Sequence, residues 1–168
     1  MATYSIGKGN YIRPYRNVRI RPFREAPSQT FKVGDPLILN TTADKGDQVK
    51  VAGADPDGTV VGFAMNAASG TENTTVNVAL LDEQAEFVAV VVDAQTLDYD
   101  DIGDELGIAA DATNQIWRVD RTETSVPVFR VQAFGPKPDG SGGMCTHGDV
   151  NGAVIVRSAA AKQGLARP

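Results

Sequence analysis

The sequence predicts an all-β fold: a small β-barrel, β-tulip-like or sandwich body preceded by an extended N-terminal arm. Three observations lead there. Apolar runs alternate at short spacing with turn-forming clusters, in a chain of 168 residues that holds 17 glycines and 9 prolines. Several of these runs have period two, as a strand with one buried face requires. No segment of helical length carries a 3.6-residue apolar stripe.

Taken in order, residues 1–28 read as the arm. Pro14, Pro22 and Pro27 forbid a continuous helix there. The body, 29–168, has candidate strands at 36–39, 48–52, 59–65, 75–81, 86–92, 116–121, 126–134 and 153–157. Within 75–81, Val76, Val78 and Leu80 share one face; Phe129, Val131 and Ala133 repeat that pattern opposite Arg130 and Gln132. The run 87–92 is apolar on both faces and is expected at the centre of a wall. Turn chemistry separates the strands at 44–47, 55–58, 69–73 and 111–114. Short turns at 98–106 and 158–163 are the helix candidates. The Gly/Pro-rich stretch 135–143 is expected as an exposed, mobile loop, and 165–168 as a frayed tail.

A chain of this length forms one domain that buries roughly 70% of its unfolded surface. One cysteine, Cys145, excludes an internal disulfide framework. No apolar run reaches signal-peptide or membrane-spanning length, so a soluble, unexported protein without a membrane partner is expected.

The charge is unevenly placed. Lys8, Arg13, Arg16, Arg19, Arg21 and Arg24 face one acid, Glu25, within residues 1–28; that segment is +5 and the remainder −10, for a net −5. Between Val51 and Trp117 there is no Lys or Arg but thirteen acids, densest at 98–105. Carboxylates at this density suit Ca²⁺, but Ile102 stands where an EF-hand loop needs its fifth-position oxygen ligand. A solvated acidic turn facing a basic partner, such as the arm of a neighbouring copy, is the reading adopted, with no metal or cofactor assigned.

Cys145 and His147, the chain's one cysteine and one histidine, lack an orienting third group and an oxyanion site, and two ligands do not close a zinc site. They are read as structural, and the protein as a non-enzyme, the alternative being a small hydrolase using this pair or two carboxylates. Gly7-Lys8-Gly9-Asn10 lacks the strand-to-helix context of a phosphate loop. The sequons at Asn40 and Asn73 are read as turns.

The arm interleaves arginines with aromatic and β-branched residues: Tyr11, Arg13, Tyr15, Arg16, Val18, Arg19, Ile20, Arg21, Phe23 and Arg24 are the candidate partner-binding residues. Arginines and tyrosines also suit nucleic acid, but an acidic body repels a polyanion, so a protein partner is expected and nucleic acid is not. Strand addition to a neighbouring subunit accounts for both the alternation and the charge.

The run Phe31-Lys32-Val33-Gly34-Asp35-Pro36-Leu37-Ile38-Leu39 is followed by Val60-Val61-Gly62-Phe63-Ala64-Met65, and then by residues 76–87, 102–108 and 148–157. Across 30–160 this layout resembles the head decoration (cement) proteins of tailed bacteriophages. The resemblance implies a structural virion protein on the outer capsid surface, commonly trimeric. It would bind the major capsid protein with an extended arm and stabilise contacts between capsid subunits. A phage tail or host-surface (glycan) binding protein on a similar barrel is the alternative class. On the cement reading Tyr11, Tyr15, Val18, Ile20 and Phe23 would be buried by the partner, and a body lacking 1–28 would fold alone.

Overall fold

In a computed structural model, residues 1–42, 47–53, 56, 60–92 and 94–159 are described. The expected turns at 44–47 and 55–58 and the tail 165–168 lie wholly or largely outside these residues, as does most of the helix candidate at 158–163.

Eleven strands follow in chain order: β1 (Arg13–Arg16), β2 (Ile20–Glu25), β3 (Pro36–Leu39), β4 (Gln48–Val51), β5 (Val60–Ala64), β6 (Thr75–Leu80), β7 (Glu86–Val90), β8 (Glu105–Asp111), β9 (Ile116–Asp120), β10 (Phe129–Phe134) and β11 (Ala153–Ser158). Single 3-10 turns lie at Lys8–Asn10 and Tyr99–Asp101. The fold is all-β. Five strands close a barrel in the order β2-β4-β3-β5-β6; six form an open sheet in the order β1-β7-β11-β10-β8-β9.

The alternation read from the sequence sets the cores. Val76 and Val78 of β6 point into the barrel, where they meet Phe31, Leu37, Val49 and Ala64. Residues Phe87 to Val90 of β7 are all buried, as expected of a run apolar on both faces. Between barrel and sheet, Phe63 of β5, Phe87 of β7 and Phe129 of β10 pack with ring centroids 5.2–6.3 Å apart. Barrel and sheet therefore share one core. Gly62 is required by close approach: a Cβ there would stand 2.2 Å from the Ala79 carbonyl oxygen of the adjacent strand.

The N-terminal segment corrects the sequence reading. Residues 1–28 are largely extended apart from the 3-10 turn at Lys8–Asn10, but they are not an arm outside a body that begins at residue 29. β1 lies antiparallel to β7 (Arg13 opposite Val88), and β2 lies antiparallel to β6 (Ile20 opposite Ala79, Arg24 opposite Thr75). The segment thus runs back along the whole β6–β7 ribbon, turning at Asn17 (φ 55°). β2 also pairs parallel with β4 (Arg24 opposite Gln48), which closes the barrel. The physical reason is β-propensity: Val18, Ile20, Phe23 and Tyr15 suit a strand wherever a partner exists, and the chain supplies its own.

Strand β8 was not expected either. Its Gly107, Ala109 and Ala110 have weak β-propensity. Gly107 is held by packing, since a Cβ would meet Glu123 Cγ at 2.4 Å. The 135–143 loop is tied at its neck by a bridge between Pro136 and Met144 and by Asn10, whose side-chain amide donates to the Pro138 carbonyl.

Candidate partner-binding surface

The ten arm residues divide by what the fold does with them. Tyr11 and Val18 are half-buried against the shared core, and Phe23 against the barrel core. The chain's own body has taken these apolar anchors. Arg19 pairs with Asp82 (2.8 Å), and Arg24 makes a two-pronged contact with Asp47. Five residues remain outward: Arg13, Tyr15, Arg16, Ile20 and Arg21. Tyr15 is 36% and Ile20 54% exposed. Among the described residues no carboxylate pairs with Arg13, Arg16 or Arg21; Arg16 lies over the Tyr15 ring at 4.8 Å and Arg21 over Phe23 at 5.8 Å. The result is a cationic, aromatic ridge with one half on the sheet (β1) and one on the barrel (β2).

The ridge is rigidly based. Glu25, at the end of β2, is fully buried and accepts hydrogen bonds from Ser69 N (2.9 Å), Ser69 Oγ (3.0 Å) and Gly70 N (2.7 Å). Nothing in the sequence separated it from a solvated acid. Ahead of β1, Ile12 is buried and Thr3 bridges Val150. Asp149 receives Ala2 N (2.7 Å), Thr146 N (2.9 Å) and the Tyr4 hydroxyl (3.1 Å). Burial by itself would raise the Asp149 carboxyl; the donors from Thr146, Ala2 and Tyr4 outweigh it and hold the group below the usual carboxylate range. Tyr4 is pushed up to about 12 by burial and by its bond to that carboxylate.

A second surface lies around Tyr99, which is 66% exposed. Its ring stacks on His147 (centroids 4.9 Å apart, planes 5° apart) and leans on Phe134 at 5.7 Å. Ile102 and Met144, each 44% exposed, flank this ladder along the chain. The acidic cluster 98–105 is partly spent on structure. Asp98 caps the 3-10 turn; Asp101 is buried, accepts from Asp98 N and pairs with Arg121. Among the described residues no cation forms an ion pair with the exposed carboxylates of Asp100 and Asp104, Arg130 donating instead to the Gly103 carbonyl (3.1 Å), and no His/Cys/Asp/Glu group has metal-binding geometry.

Cys145 and His147 are not brought together. The thiol is buried and accepts from Ala153 N (3.3 Å), and burial pushes its pKa up, away from a nucleophilic thiolate. The imidazole is turned outward onto Tyr99, 3.8 Å from Asp98. Gly7 to Asn10 form one 3-10 turn in which Asn10 caps Gly7 N. Asn40 is buried and donates to Gln48, while Asn73 sits in a left-handed turn (φ 68°).

Comparison with family models, with curated proteins and with solved structures returns no match, so function is argued from the chain's own geometry.

Proposed function

We propose that this chain is a structural virion protein that decorates the outside of a tailed-phage head and tightens contacts between major capsid subunits. The observation that carries the reading is the ridge, which presents arginines with no carboxylate partner among the described residues beside exposed Tyr15 and Ile20. Arginine beside exposed aromatic and aliphatic side chains is the composition that protein-binding surfaces favour. The ridge turns at Asn17, so its halves address different surfaces. The barrel half, Ile20 and Arg21, meets an acidic face of the capsid. There Ile20 supplies buried apolar area and Arg21 supplies orientation, since exposed ion pairs contribute only about 0–1 kcal/mol each. A cement function asks for a stiff body, and a closed barrel that shares its core with a sheet supports that reading.

The test is co-sedimentation with expanded, undecorated tailed-phage heads. The full chain saturates them at a fixed ratio, and Ile20→Glu lowers occupancy at least tenfold at equal concentration, the equivalent of about 1.4 kcal/mol. Full occupancy by Ile20→Glu, or no binding by the unaltered chain, defeats the reading.

A further inference from the structure

We propose that the Tyr99 surface is the docking site for the sheet half of the ridge, Arg13, Tyr15 and Arg16, of a second copy of this chain. Three features of the fold lead there. First, β1 is an open edge of the six-stranded sheet. The other terminal strand, β9, is met by the chain after β7, through the Val91–Val119 bridge and Val92 N donating to Val119 O (2.8 Å). An open edge needs a cover or a blunting device. Here Pro14 and the irregular register between Pro14 and Arg16 blunt it against strand addition. Side-chain docking is the mode left for that edge, in place of the strand exchange the sequence suggested.

Second, the two surfaces complement each other. The sheet half of the ridge offers two guanidiniums that pair with no carboxylate among the described residues, beside an exposed tyrosine whose hydroxyl accepts from Arg16 (3.3 Å). The Tyr99 surface offers Asp100 and Asp104, unpaired among the described residues, near exposed Tyr99 and His147 stacked over half-buried Phe134, with exposed Ile102 and Met144 close by along the chain. Guanidinium over an aromatic face and against carboxylate is the pairing arginine geometry favours. Third, the two surfaces start from different strands of one protomer: β7 and β11 lie between β1 and β10, the strand that carries Phe134, and Arg13 lines a hollow with Pro136 and Pro138 and not with Tyr99. At about 4.8 Å per strand, β1 and β10 are on the order of 14 Å apart. The contact is between unlike surfaces; it closes as a ring or as a reciprocal pair about a two-fold axis, and runs on as a filament only where the rotation fails to close.

This inference does not depend on the capsid reading, and the two fail separately: one is read by head binding through Ile20, the other by solution mass. The experiment is sedimentation equilibrium of the full chain up to about 100 μM, a range that detects contacts of about 5–6 kcal/mol. The unaltered chain sediments as a discrete oligomer of its 17.8 kDa protomer and dissociates in about 1 M salt, where the screening length is about 3 Å. Arg13→Glu/Arg16→Glu and, separately, Asp100→Arg/Asp104→Arg are monomeric, with circular dichroism unchanged because all four side chains are exposed. Mixing the two variants restores association, since reversed charges then face each other. A monomeric unaltered chain, an oligomer that either variant leaves intact, or two monomeric variants that do not associate when mixed each overturns the proposal.

Discussion

β1 and β2 come from one stretch of sequence with one composition, yet the fold treats them oppositely. β2 is paired on both sides, by β4 and β6, inside a closed barrel, with Phe23 on the barrel core and Glu25 buried behind it. β1 is paired on one side, by β7, and its Tyr15 stays outward. An extended, arginine-rich segment is thus no indication of a free arm. Whether it serves stability or contact is decided residue by residue, by whether the chain itself supplies the second neighbour.

The largest effect that would break this comparison is deletion of residues 1–28. It removes the edge of the sheet and opens the barrel, so the truncated chain is expected to lose its cooperative melt and its β-type circular dichroism. A truncated chain that melts cooperatively would restore the notion of an independent body. Next, Phe23→Ala should cost about 2 kcal/mol for a half-buried ring, lowering Tm by roughly 4–8 °C, while Tyr15→Ala stays within about 0.5 kcal/mol. Equal losses at the two positions would erase the distinction between the strands.

Acid sharpens the contrast at the segment's start. Asp111, Asp120 and Asp149 are all held below their ordinary values, in each case because hydrogen-bond donors outweigh burial; Asp35, raised by burial, acts in the opposite sense. For the three lowered groups the unfolded chain binds protons more readily. Their contribution is complete above the unfolded value of about 3.9 and is lost as pH falls through the lower folded values. Denaturant midpoints should therefore hold from pH 8 to 6 and fall below about pH 4. Asp149→Asn should flatten that acid limb while lowering stability at neutral pH. The smallest effect is at the pairs: Arg19→Ala, which breaks the surface pair with Asp82, should change stability by about 0–1 kcal/mol, and Arg16→Ala by less.

Much of this fold was legible, because period two is a direct consequence of strand geometry. Val76 and Val78, Phe129 and Val131, and the doubly buried β7 all lie where their alternation puts them. β8 escaped because Gly107, Ala109 and Ala110 carry no pattern of their own; Glu123 packing, seen only in three dimensions, requires the glycine. In the arm, composition showed stickiness but not the destination of each side chain. Tyr11, Val18 and Phe23 turned inward because β6 and β7 were within reach, a long-range pairing that no local window contains. The Tyr99 ladder was hidden likewise, since it joins residues 99, 134 and 147 from three separate loops and strands.

The most direct test of the central claim, that the outward ridge serves contact and not folding, is one paired measurement on Ile20→Glu/Arg21→Glu. Its occupancy on expanded, undecorated heads and its Tm are read side by side with the unaltered chain. Lost occupancy with Tm held within about 4 °C is the predicted result. Occupancy equal to that of the unaltered chain would contradict the account.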